Sequence, residues 1–227
     1  LAFGLSSVVD ISPAAALSAD ETATYGDPLF ITGAFDIDLP IVDTDFISFI
    51  LFGDIGGLLP YYQKPFTDTV DGTTYSIEKG PAISSLYNKD APAFLDKFNN
   101  VAVSAGLMGN IFIADYRFDF RYYKGAFQPG FFNTTYDRTR AATLKSVTNF
   151  VNDPTALQYQ DPTIGIFGEL NFNIADKVYF ELSYLWPWSI TDAGEIETAE
   201  EDMLHAELGV QPGVIPLLGL YGSISYD

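Results

Sequence analysis

The chain contains no cysteine, a single histidine and no apolar run long enough to form a membrane-spanning helix. Without cysteine there are no disulfides and no thiolate metal sites, and the compartment is left open. A spanning helix needs about 18 or more consecutive apolar residues. Strands that cross a bilayer with alternating residues escape that exclusion. Positive charge is also scarce: 11 Lys+Arg stand against 30 Asp+Glu, for a net charge of -19 over 227 residues. Such a surface repels a phosphate backbone, which argues against nucleic acid as a partner. The lone His205 limits histidine-dependent catalysis to one site, and no G-x-S-x-G motif or phosphate-cradling glycine loop occurs. The expectation is a protein that is not an enzyme and carries no cofactor.

What is abundant is alternation. From Thr163 to Trp188 the sequence reads T-I-G-I-F-G-E-L-N-F-N-I-A-D-K-V-Y-F-E-L-S-Y-L-W-P-W. Ile164, Ile166, Leu170, Phe172 and Ile174 share one parity; Phe167, Glu169, Asn171 and Asn173 share the other. After Ala175-Asp176, Val178, Phe180, Leu182, Tyr184, Trp186 and Trp188 alternate with Tyr179, Glu181 and Ser183. Side chains alternate across a strand, so this predicts a hairpin with one apolar and one mostly polar face.

The same pattern recurs. Residues 1–9 read as a strand rather than a targeting peptide, because they lack a basic leader and end at Asp10. Residues 10–26 read as a loop. A strand from Pro28 to Leu39, a turn over Pro40–Asp45 and a return strand from Phe46 to Ile55 follow. The return strand is apolar on both faces; the register adopted puts Ile47, Phe49, Leu51 and Ile55 outward, with Ser48 and Asp54 inward. A second hairpin spans Asn100 to Phe127 around an Ile113-Ala114-Asp115 turn. In its return strand Tyr116, Phe118, Phe120 and Tyr122 oppose Arg117, Asp119, Arg121 and Tyr123. Near the end, Leu204, Ala206 and Leu208 alternate with His205 and Glu207, and Gln211-Pro212-Gly213 predicts the last turn. Two long excursions, 57–98 and 128–161, separate these units. The first shows turn formers and a short helix starting near Asp90, with Pro92 in its first turn. In the second, Ala141 to Val151 fits a strand or a helix equally.

Strands of about ten residues with aromatic ends match the apolar band and interfacial girdles of a membrane barrel. On the segments Tyr116–Tyr123 and Val178–Trp188, the short Ile-Ala-Asp turns and the long polar loops, the chain resembles Gram-negative outer-membrane β-barrels of the porin-like type. No subfamily signature is matched, and Asp227 stands where such chains usually end in an aromatic residue. The resemblance implies an all-β, antiparallel up-and-down transmembrane barrel over residues 1–227, with short periplasmic turns and long extracellular loops. It implies residence in the bacterial outer membrane, with lipid, small solutes and, as a homo-oligomer or with another envelope protein, further chains as partners. About nine strands are legible, whereas single-chain bacterial barrels hold an even number. At least one more strand is therefore expected from the native polypeptide or its closed assembly.

On this reading Arg117, Asp119, Arg121, Glu169, Asn171, Glu181, His205 and Glu207 line the lumen, as a selectivity patch or as an ion-pair network filling it. Phe118, Phe120, Tyr122, Phe180, Tyr184, Trp186 and Trp188 face lipid or its interface. His205 and Glu207 lie two residues apart on one strand, about 6–7 Å, too far for a favoured catalytic pair. The acidic loop from Asp192 to Asp202 is oxygen-rich but lacks the ligand order of an EF-hand, so no metal ligand set is read from the sequence. The expected function is a pore for small solutes. A structural or adhesive barrel whose long loops bind a partner is the alternative, and a soluble β-barrel or sandwich the second.

Overall fold

The computed structural model describes all residues except 45, 71–72, 92–96, 128–130, 133–135, 154–155, 157–160, 175–176, 192–193, 200–201, 216–219 and 227. Its strands are β1 (Ala2–Asp10), β2 (Pro28–Asp43), β3 (Ser48–Tyr62), β4 (Phe66–Val70), β5 (Thr73–Ile77), β6 (Gly80–Pro81), β7 (Val101–Ile111), β8 (Ala114–Lys124), β9 (Thr163–Ile174), β10 (Val178–Ile190), β11 (Ile196–Thr198), β12 (Met203–Ile215) and β13 (Leu220–Tyr226). Among the described residues there are also two α-helices, α1 (Ala19–Tyr25) and α2 (Tyr136–Asn152), and 3₁₀ turns at Pro13–Ala16 and Ile83–Ser85. Nine strands form one antiparallel meander in the order β1-β2-β3-β7-β8-β9-β10-β12-β13. Chain neighbours thus pair throughout this path, apart from the short elements on the long excursions. The sheet is open, with β1 and β13 as its edges.

Register makes the sheet two-faced. Asp36 pairs with Asp54, Asp54 with Ser104, Ser104 with Arg121, and Arg121 with Gly165, so these residues share a face. The opposite parity carries Phe3, Leu5, Phe35, Ile55, Phe120, Phe180 and Leu208, all solvent-exposed in the isolated chain, Leu5 at 85%.

The compact core lies elsewhere, at the end where the long connections meet. Ala14, Phe30, Leu58, Leu144 and Val147 form one buried cluster, with Phe127, Phe131 and Phe132 packed against it. Phe30 and Leu58 belong to the polar-face parity, so α2 lies against that face and covers its end. Helix α2 repeats apolar residues at helical spacing (Leu144, Val147, Phe150), which commits it to one buried stripe. Tyr136 OH donates to Asp10 Oδ2 at 2.7 Å, and Lys145 Nζ donates to Glu21 Oε1 at 2.7 Å, tying α2 to β1 and α1. Burial and the adjacent Asp10 carboxylate both push the Tyr136 hydroxyl well above its ordinary range. Helix α1 carries a Ser18–Glu21 capping box at its start.

Several boundaries differ from the sequence reading. Residues 10–26, expected as loop, hold a 3₁₀ turn at Pro13–Ala16 and α1. The turn placed at Pro40–Asp45 sits later: β2 passes Pro40 through a register irregularity, and Thr44 N and Oγ1 both donate to Ile47 O. The hairpin turn at Ile113-Ala114-Asp115 is Phe112–Ile113, where Phe112 adopts φ +56 and donates its N–H to Phe46 O. Ala114 and Asp115 already belong to β8. The excursion 57–98 starts late, since β3 runs to Tyr62, and it contains the β4–β5 ribbon. Ala141 to Val151 is helix. Gln211-Pro212-Gly213, expected as the last turn, is strand, and the reversal lies between Ile215 and Leu220, which pair. The Ala175-Asp176 turn, the helix at Pro92 and acids Asp192, Glu200 and Glu201 lie outside the described residues.

Candidate functional site

The polar face carries two groups of ionisable side chains. The first is centred on β8. Asp119 is fully buried, and its carboxylate accepts from Arg117 Nε at 2.6 Å and Arg121 Nε at 2.7 Å. Both arginines stand two residues away, one on each side, which strand geometry places on the same face. Arg117 also donates through Nη2 to Asp54 Oδ2 at 3.0 Å on β3, and Ser104 Oγ on β7 donates to the same oxygen at 2.8 Å. Each guanidinium lies over an aromatic ring: Arg117 over Phe52 at 4.2 Å, Arg121 over Phe167 at 3.6 Å. Two cations and two anions thus balance, held by charge-assisted bonds whose planar donors suit a carboxylate.

What makes room for Asp119 is Gly106, its partner across β7. A Cβ there would overlap the Phe118 carbonyl and the Asp119 backbone. On the far side, Glu169 pairs with Arg117 in register, and Asn171 Nδ2 donates to Glu169 Oε1 at 2.7 Å. Asp54, Ser104, Arg117, Arg121, Phe167 and Glu169 all border one recess of about 290 Å³.

The second group joins β10 and β12. Glu181 and Glu207 are directly opposed in register, and His205 opposes Ser183. His205 Nε2 lies 3.9 Å from Glu181 Oε1 and 3.8 Å from Glu207 Oε2. Tyr179 OH donates to Glu207 Oε1 at 2.6 Å. All three ionisable side chains are partly exposed.

The residues expected on the inner face therefore fall into these two groups, with Glu169 and Asn171 between them. On the other parity, Phe118, Phe120, Phe180, Tyr184 and Trp186 are exposed, while Tyr122 and Trp188 are half-buried. Trp186 and Trp188 stack with centroids 4.8 Å apart. Asp54, Ser104, Phe52, Phe167 and Gly106 were missing from the sequence-based site. An acid at position 54 inside an apolar strand was a visible signal; the aromatic partners and the glycine were not, because they depend on register. Comparison with protein-family models, with curated proteins and with solved structures returned no match for this chain.

Proposed function

We propose that the chain is a bacterial outer-membrane β-barrel whose polar face lines a pore for small solutes. One observation carries this reading: over most of the described meander one face is apolar, aromatic and exposed, while the other holds the ion-paired Asp54–Arg117–Asp119–Arg121 patch. A contiguous apolar surface of this extent marks contact with lipid or protein. In hydrocarbon the open edges β1 and β13 must also be paired, since each unmet backbone group costs several kcal/mol. The edges run in the same direction, so antiparallel closure takes at least one more strand, from further chain or another copy. The short turns lie on the periplasmic side, and α2 with the long excursions lies outside. Planar-bilayer recording of the folded protein tests this. A conductance above the bare membrane, with a reversal potential that shifts on Arg117→Ala and Arg121→Ala, is expected; silence in the bilayer overturns the pore.

A second reading has its own support. Helix α2 and the Phe127–Phe131–Phe132 aromatic cluster cover one end of the polar face, and Asp119 is fully enclosed by its partners. Both features suit a plugged barrel that serves as an anchor or adhesin, with its excursions as the contact surface. Deleting 63–82 within the excursion 57–98 then abolishes partner binding while leaving a heat-resistant barrel on a gel; unchanged binding counts against it.

A further inference from the structure

We infer that Glu181, His205 and Glu207 form a binding site for a divalent transition-metal ion of the Zn²⁺ type. The argument begins with register. Glu181 and Glu207 oppose each other on neighbouring strands and share a face, so two carboxylates confront each other at cross-strand distance. Like charges in that relation destabilise a sheet unless a cation lies between them. The flanking positions in register do not supply one: they are Asn171, Tyr179, Ser183, Gly209 and Ser225. Protonated His205 offsets one of the two charges. A dication offsets both, with neutral imidazole as its third ligand.

The donor atoms are arranged to allow this. One imidazole nitrogen and one oxygen from each carboxylate all lie within 4.8 Å of one another. Around a tetrahedral ion with bonds of about 2.1 Å, ligand atoms stand about 3.4 Å apart. The two histidine–carboxylate distances, 3.9 and 3.8 Å, need to contract by about half an ångström and the separation of the two carboxylate oxygens, within 4.8 Å, by up to about 1.4 Å, which rotation of two partly exposed carboxylates supplies. One imidazole with two carboxylates is a donor set for Zn²⁺ and its first-row neighbours rather than for Ca²⁺ or Mg²⁺, which take oxygen alone. Tyr179 supplies the outer hydrogen bond that orients a ligating carboxylate, through its 2.6 Å contact with Glu207. Three protein ligands leave the fourth position of a tetrahedral ion to water or a further ligand. The inference uses these side chains alone, so its readout is independent of conductance.

The test is calorimetric titration of chelator-stripped, detergent-folded full chain with Zn²⁺, backed by Co²⁺ absorption as a report of ligand geometry. One equivalent per chain is expected, with tetrahedral-type Co²⁺ bands that excess Mg²⁺ does not remove. His205→Gln and Glu207→Gln should each weaken binding at least about tenfold, and Tyr179→Phe about tenfold, as loss of an outer-shell partner does. Heat-modifiability on a gel confirms that each variant is folded, and Glu195→Gln/Glu197→Gln, at exposed positions, should bind like the parent. Absence of binding by the parent overturns the site. So does equal binding by His205→Gln, or displacement by Mg²⁺, either of which assigns the metal to surface acids.

Discussion

Two clusters on one face of the same sheet solve the problem of charge in opposite ways. Around Asp119, two arginines and two aspartates cancel, aromatic rings flank both guanidinium groups, and the central carboxylate is sealed from solvent. Around His205, two glutamates face each other across the imidazole, Tyr179 donates to one of them, and all three ionisable groups stay partly exposed. The first arrangement is complete as it stands. The second, on the metal site inferred above, is completed by a cation. Sequence proximity does not distinguish them, since both use residues two apart on a strand; what differs is what the neighbouring strands deliver.

The sharpest way to break this contrast is Asp119→Ala. Removing a sealed carboxylate leaves two guanidinium groups facing each other without it, at about 3–5 kcal/mol. A fall in the denaturant midpoint of that size is expected; a loss under about 1 kcal/mol would mean that the patch is solvated and resembles the His205 group. Next comes Leu144→Ala, which empties a fully buried site in α2 and should cost about 3 kcal/mol. If α2 caps only the Asp119 half of the face, this variant speeds amide exchange in β2 and β3 and leaves β10 and β12 as they were. Glu181→Gln works in the other direction. It removes one of two opposed like charges and should raise stability in chelator by up to about 1 kcal/mol. The same substitution should lower stability relative to the parent when Zn²⁺ is present, and a destabilised metal-free variant would contradict the picture of uncompensated repulsion.

The smallest effect concerns a pair outside both clusters. Hydrogen bonds from Lys145 and then Ser18 hold the exposed Glu21 carboxyl at about 2, against an ordinary 4.5. A depressed carboxyl stabilises the fold above its unfolded pKa, so this contribution is complete above about pH 4.5 and fades as pH falls toward 2. Exchange protection in α1 should follow that window and vanish from it in Glu21→Gln; a pH-independent profile would remove the tether.

Much of the sheet was legible because period-two alternation is a local signal. The β7–β8 and β9–β10 hairpins, and the sorting of Arg117, Asp119 and Arg121 against Phe118 and Phe120, follow from parity alone. Helix α2 was not legible. Its Thr143, Val147, Thr148 and Val151 are β-branched, and only the spacing of Leu144, Val147 and Phe150, paired with Phe30 and Leu58 far away in sequence, selects a helix. The strand through Gln211-Pro212-Gly213 was misread because its turn formers are overridden by pairing with β13 on either side. In the candidate site, His205 and Glu207 were visible as neighbours, but Glu181 joins them only through a cross-strand register that no single segment encodes.

Gly106 gives the Asp119 cluster a consequence for how this protein can vary. A side chain at 106 would occupy the space taken by the Phe118 carbonyl and by the Cα and Cβ of residue 119. Position 106 should therefore stay glycine wherever the β7–β8 pairing is kept, whichever residue stands at 119, because the obstacle is the neighbouring strand's backbone rather than the acid. A lineage keeping Asp119 beneath a bulky residue 106 would have had to rebuild the β7–β8 pairing itself.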